Sequence, residues 1–131
     1  MVIAAEEVAK PDERYRKSER LQKRPDFLRV QHQGLRYTTP RFVVLSLPSP
    51  VGRRRFGITA STKVGNAVQR NRVKRRLREI YRRNPSVWME GIDIVIIARK
   101  ASASASYASL EADLFAWAQW LARRTRPSEE Q

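Results

Sequence analysis

The run IDIVIIA at 92 to 98 constrains the fold more than any other part of the chain. It lacks the apolar-polar alternation of a half-exposed strand, and a short run that is apolar on both sides suits a strand covered on both faces. It therefore predicts a central strand with packing layers above and below it. Its apolar part, IVIIA at 94 to 98, is the longest buried-looking run, and it falls far short of the ~20 apolar residues of a membrane span.

Partners for that strand are sought in RFVVLSL at 41 to 47 and FGITAST at 56 to 62, both rich in β-branched and aromatic residues. The intervening LPSPVGRRR carries turn residues, so the two read as antiparallel neighbours. In the second, Phe56, Ile58 and Ala60 alternate with Gly57, Thr59 and Ser61, giving one apolar face and one small polar face. A shorter strand could begin in TTPR at 38 to 41, where Pro40 restricts it to a sheet edge.

Three helices complete the reading. In KRPDFLRVQHQG, Pro25 suits a first helical turn, Asp26 complements its positive end and Gly34 suits the residue beyond its end, predicting a helix from Pro25 to Gln33. ASASAS at 101 to 106 reads as a low-complexity linker ending in the N-cap Ser106. After it, Tyr107, Leu110, Leu114, Trp117 and Leu121 recur at three and four, an amphipathic helix running to about Arg124. Residues 1 to 20 read as a mobile basic arm, 21 to 124 as a single α+β domain, and 125 to 131 as a tail.

The third helix lies at 68 to 84 and raises the functional question. Its core, RNRVKRRLREIYRR, holds eight basic side chains in fourteen positions and one acid, Glu79. At 100° per residue Val73, Leu77, Ile80 and Tyr81 form one buried stripe, and Arg72, Arg75, Arg76, Arg78, Arg82 and Arg83 cover the rest. Arg70 and Lys74 border the stripe. An ordinary solvated face interleaves acids with bases, because each like-charge pair at i,i+4 costs roughly 0.2–0.5 kcal/mol. Arg72 with Arg76, Lys74 with Arg78 and Arg78 with Arg82 are all like pairs. A phosphate surface that supplies the missing negative charge accounts for them, and guanidinium suits forked phosphate contacts.

The whole chain agrees: 27 Lys and Arg against 13 Asp and Glu leave +14 over 131 residues, a balance that favours a polyanionic partner. With no cysteine, disulfide and thiolate chemistry are excluded, and the N-terminal MVIAAEEVAK lacks the basic start and apolar core of a signal peptide. A cytoplasmic protein is expected. Hydrolytic chemistry finds no support: His32 stands alone without metal-ligand spacing, Glu111 and Asp113 lie two apart and share no helix face, and Asp93 suits a structural hydrogen-bonding role. Trp117 belongs to the last helix's apolar stripe, Trp120 falls off it, and Trp88 reads as a loop residue packed on the domain. For Phe27 a core anchor and a nucleic-acid stacking platform remain equally open.

Immediately before the basic helix stands TKVGNAVQRNRVKR at 62 to 75, which strongly resembles the signature of the bacterial ribonuclease P protein family. The likeness extends over RLQKRPDFLRVQHQG at 20 to 34, GIDIVIIARK at 91 to 100 and SYASLEADL at 106 to 114. It implies an α+β domain with a mostly antiparallel four-stranded sheet, three helices and a strand–helix–strand unit of left-handed crossover. It further implies the accessory subunit of an endoribonuclease, whose RNA component cuts the 5′ leader from precursor tRNA with magnesium ions held by RNA. The catalytic RNA and precursor tRNA would then be the partners. Arg70, Asn71, Arg72, Lys74, Arg75 and Arg78 match the family's RNA-contacting helix, with Lys63 as its basic flank and Gly65 and Asn66 as the turn leading into it. Phe27, Thr59 and Ser61 match the cleft that holds the leader. Gln31 and Leu45 depart from aromatic positions common in that cleft. The competing expectation is a general RNA-binding or ribosomal protein without a processing role; sequence-specific DNA binding lacks a recognition-helix pair or dimer motif.

Overall fold

Strand β4, Ile92–Ala98, does occupy the interior of a four-stranded sheet, and its neighbours on the two sides are different in kind. The structure is a computed structural model that describes residues 17–124, so most of the arm expected at 1 to 20 and the tail at 125 to 131 lie outside the described residues. Within it, helix α1 spans Arg24–Gln33, β1 Leu35–Thr38, β2 Phe42–Pro48, β3 Arg55–Thr59, α2 Ala67–Arg83 and α3 Tyr107–Arg124. The strand order is β1-β2-β4-β3. Both β1 with β2 and β2 with β4 pair antiparallel, while β3 pairs with β4 in parallel, with Gly57 opposite Val95.

The expectation that β2 and β3 are antiparallel neighbours is therefore corrected: β4 is inserted between them. A strand apolar on both faces is best buried with a neighbour on each side, and β4 takes both. The β2–β3 connection accordingly crosses over β4 rather than closing a hairpin. β3, α2 and β4 form a strand–helix–strand unit joining adjacent parallel strands. The edge strand near Pro40 is β1, which ends two residues before it.

Alternation along the strands divides the core. Phe42, Val44, Phe56, Ile58, Ile94 and Ile96 face α2 and α3, and meet Val73, Leu77, Ile80 and Tyr81 from the one helix and Leu110, Leu114, Trp117 and Leu121 from the other. Val43, Leu45 and Val95 face the opposite way and pack with Val30 of α1 and Leu21. Burying each such side chain contributes about 1.5–3 kcal/mol relative to exposure, so both layers are needed to hold β4. Trp88 is buried against Tyr81, with its indole N–H donating to the Tyr81 carbonyl at 2.8 Å.

Two segments behave differently from their sequence reading. Lys17–Glu19, placed in the arm, form a 3-10 turn, and Leu21 N–H donates to the Phe56 carbonyl at 3.0 Å, so the packed chain starts at β3's outer edge. The Tyr81 hydroxyl ties that turn down by donating to Glu19 Oε1 at 2.7 Å while accepting from Arg54 Nε at 2.9 Å, and burial pushes the phenol well above its ordinary range. The serine-alanine segment is not a plain linker either: Lys100–Ser104 form a 3-10 turn with Ser102 buried. Ser106 then caps α3 as expected, accepting from Ser109 N–H at 3.0 Å.

Candidate nucleic-acid interface

The turn into α2 is built by backbone chemistry. Asn66 accepts from Gln69 N–H and Gln69 Oε1 accepts from Asn66 N–H, both at 2.9 Å, a reciprocal capping box that fixes where the basic helix begins. Gly65 precedes it at φ +153°, a conformation side chains disfavour, and a Cβ there would meet Gln69 Oε1 at 2.1 Å. The helix then runs about 25 Å with its four apolar residues buried as the 3.6-residue period requires.

Its outer surface is cationic and largely uncompensated. The helix's one acid, Glu79, is taken by the last turn: Arg82 grips it with two bonds at 2.9 and 2.7 Å, and Arg83 stands at 3.7 Å. Among the described residues Lys63, Lys74, Arg75 and Arg78 have no acidic partner, and Lys63, Asn71, Arg75 and Arg78 are exposed. Arg72 is half-buried and reaches the Ala103 carbonyl at 3.5 Å, and Arg76 donates to the Ala105 carbonyl at 2.8 Å, so part of the like-charge crowding is relieved by backbone oxygens. Arg70 is half-buried, and its Nε has no partner among the described residues. Val68, 71% exposed among Asn71, Arg72 and Arg75, was not anticipated as part of this surface. The available signal was its position about 140° around the helix from Val73.

A second feature opens under α1. The Phe27 ring lies against the Gly57 backbone: a Cβ on Gly57 would stand 2.5 Å from Phe27 Cζ and 2.9 Å from the Leu21 carbonyl oxygen. Arg20, Gln22 and Arg78 join Phe27 and Gly57 around a recess of about 280 Å³. Phe27 is half-buried, packed on the smaller core layer and also lining the recess. Thr59 ends β3 half-buried and does not line the recess. Ser61 lies beyond the strand in the following turn, where its hydroxyl accepts from Lys63 N–H at 3.3 Å and its carbonyl from Val64 N–H at 3.0 Å. Leu45 is buried in the smaller core layer, and Gln31 is half-buried. Arg20, Gln22 and the approach of Arg78 to this recess were missed, because they depend on how α2 and the chain before α1 converge on β3.

Beside the recess, on the same sheet face, Asp93 is fully buried. Arg55 donates to it from Nε and Nη2, each at 2.8 Å, and Arg29 of α1 donates as well. These bonds hold the Arg55 guanidinium charged even more firmly than usual. The expected structural role of Asp93 is thus borne out: it clamps α1 to the sheet. His32 is exposed, and Asp113 pairs with Arg41 at 2.9 Å. Among the described residues no three His, Cys, Asp or Glu side chains gather into a group that could hold a metal ion, and no helix is long and apolar enough to cross a membrane.

Comparison with known proteins agrees with this architecture. A family model described as Ribonuclease P matches residues 15–121. The ribonuclease P protein component of Citrifermentans bemidjiense is 42% identical over 100 residues, 76% of this chain and 85% of that protein. That of Desulforapulum autotrophicum is 48% identical over 88 residues, 67% and 75% of the two chains. Among solved structures, the RNase P protein from Thermotoga maritima superposes with a TM-score of 0.68 at 34% identity, covering 83% of this chain and 99% of that one. The Staphylococcus aureus RNase P protein gives a TM-score of 0.68 at 32% identity, covering 75% and 90%. An arginine-rich helix entered through a capped glycine turn, a mixed sheet with β4 inside it and this agreement across most of the chain lead to one conclusion: the chain belongs to the ribonuclease P protein family, with a role as the protein subunit of ribonuclease P in tRNA processing.

Proposed function

We propose that this chain acts as an accessory subunit, binding the catalytic RNA through the outer face of α2 and the 5′ leader of precursor tRNA in the recess under α1. The RNA component performs the cleavage, with magnesium ions held by the RNA and the substrate, in the cytoplasm. The observation that carries the reading is the outer face of α2: exposed Asn71, Arg75 and Arg78, flanked by Lys63, stand without acidic partners among the described residues, opposite a fully buried apolar stripe. Lys74, Arg72 and Arg70 extend that face toward its borders.

The division of labour is tested by cleavage of precursor tRNA. The purified, nuclease-free protein alone is expected to leave it intact, and adding ribonuclease P RNA and magnesium is expected to release the leader at the mature 5′ end. Cleavage by the RNA-free protein would overturn the accessory role. For the helix, the affinity for ribonuclease P RNA is expected to fall linearly on a log–log plot against salt, losing nearly one counterion per phosphate contact. Arg72→Ala with Arg75→Ala should shallow that slope by about two contacts while the unfolding midpoint falls only slightly, since Arg75 is exposed and Arg72 gives up one long bond to the Ala103 carbonyl outside the buried stripe. An unchanged slope in the double variant would count against phosphate contacts by α2.

A further inference from the structure

The 3-10 turn Lys100–Ser104 adds a bank that the outer face of α2 and the recess lack. It packs beside the start of α2, and between them lies an open groove of about 630 Å³ lined by Lys63, Gly65, Gln69, Lys100, Ala103 and Ser104. Lys63 and Lys100, 37 positions apart in sequence, stand on the two banks. No acidic side chain lines the groove, and neither lysine has an acidic partner among the described residues.

The groove is also furnished with an oriented neutral donor. Gln69 spends its Oε1 on Asn66 N–H, which leaves the Nε2 amide hydrogens as its remaining polar group, unpartnered among the described residues. Gly65 keeps room for that amide, because any Cβ there would collide with it. Arg72 and Arg76 in turn anchor the far bank by donating to the carbonyls of Ala103 and Ala105. Two ammonium groups and an amide, with no acid among them, match a phosphate oxygen cluster and repel a cation.

We propose that this groove is a second docking site for the sugar-phosphate backbone of the catalytic RNA, in which Lys100 and Gln69 act with Lys63 on one phosphate. The proposal rests on the reading that α2 binds that RNA, and it extends the interface from the outer face of the helix around its first turn. The α3 side of the sheet carries this groove, whereas the recess at Phe27 lies under α1 on the other side.

The test measures full-length protein binding to transcribed ribonuclease P RNA over a salt series, for wild type, Lys100→Gln, Lys63→Gln and the double variant. Lys100→Gln is expected to weaken binding about two- to fivefold, the range of an exposed ion pair, and to shallow the salt slope by about one contact. The double variant should lose less than the sum of the singles, because the two lysines share one phosphate, and Lys100→Arg should restore most of the affinity. Thermal unfolding should stay unchanged throughout, as both lysines are exposed. A steep wild-type slope that Lys100→Gln leaves unaltered would overturn the groove alone. So would a loss confined to precursor tRNA binding by the assembled enzyme. A flat wild-type slope would overturn the groove together with the helix reading on which it rests.

Discussion

Asp93→Ala is expected to lower folding stability by about 3–5 kcal/mol, the cost of removing one partner from a buried ion pair. The carboxylate is fully buried and receives three hydrogen bonds, two from Arg55 and one from Arg29. Truncation would leave the Arg55 guanidinium, 12% exposed, facing the sheet interior with only Asp26 at 3.6 Å to compensate it. The same loss removes the ion pair by which Arg29 ties α1 to β4, leaving the packing of Val30 with Val95. Denaturant unfolding of the purified protein checks the figure. Asp93→Asn separates charge from shape: it keeps hydrogen-bond acceptance at one oxygen, and it should recover part of the loss. A destabilisation below about 1 kcal/mol for Asp93→Ala would mean that the clamp contributes no more than a surface pair.

That clamp illustrates what the sequence could and could not express. The stripe of Val73, Leu77, Ile80 and Tyr81 was legible because helical periodicity is local, and all four residues are buried. The central position of β4 was legible for a similar reason, since a run without alternation has no face to give to water. The partners of β4 were not. LPSPVGRRR has turn chemistry, yet turn residues report only that the chain reverses, and the two-sided burial of β4 decided which strands lie side by side. Asp93 was read as structural from its place before the apolar run, but Arg29 and Arg55 lie 64 and 38 residues away from it, and no periodicity links them. ASASAS failed as a linker because the carbonyls of Ala103 and Ala105 serve as acceptors for Arg72 and Arg76, a use that composition does not encode.

The candidate site divides in the same way. The cationic face of α2 follows from spacing and charge alone. The recess depends on the convergence of three distant pieces of chain: Arg20 to Phe27, Gly57 in β3, and Arg78 in α2. Alternation along β3 did place Phe56 and Ile58 in the larger core and turned Gly57 the other way, toward Phe27. It failed at Ser61 because β3 stops at Thr59, and the hydroxyl serves the following turn instead. Arg78 thereby belongs to two surfaces, the outer face of the helix and the rim of the recess.

Phe27→Ala is the variant that tests occupancy of the recess. In the holoenzyme, affinity for precursor tRNA with a leader of several nucleotides is expected to fall by about 1–3 kcal/mol, the value of one base stacked on an aromatic ring. Affinity for mature tRNA should hardly change, because it has no leader to stack. The fold should also weaken, but by less than the ~3–5 kcal/mol that truncating a fully buried Phe costs, since the ring is only half-buried and shares its surface with the recess. Gly57→Ala provides an independent lever that keeps the ring chemically intact. The new Cβ would stand 2.5 Å from Phe27 Cζ and 2.9 Å from the Leu21 carbonyl oxygen; the ring can swing away, whereas the carbonyl is backbone, so this variant also strains the chain before α1 and should lose some stability. Displacing it should reproduce the leader-dependent loss. Equal losses for both RNAs, accompanied by a lowered melting temperature in each variant, would instead assign Phe27 to packing alone and leave the leader to be held elsewhere on the basic surface.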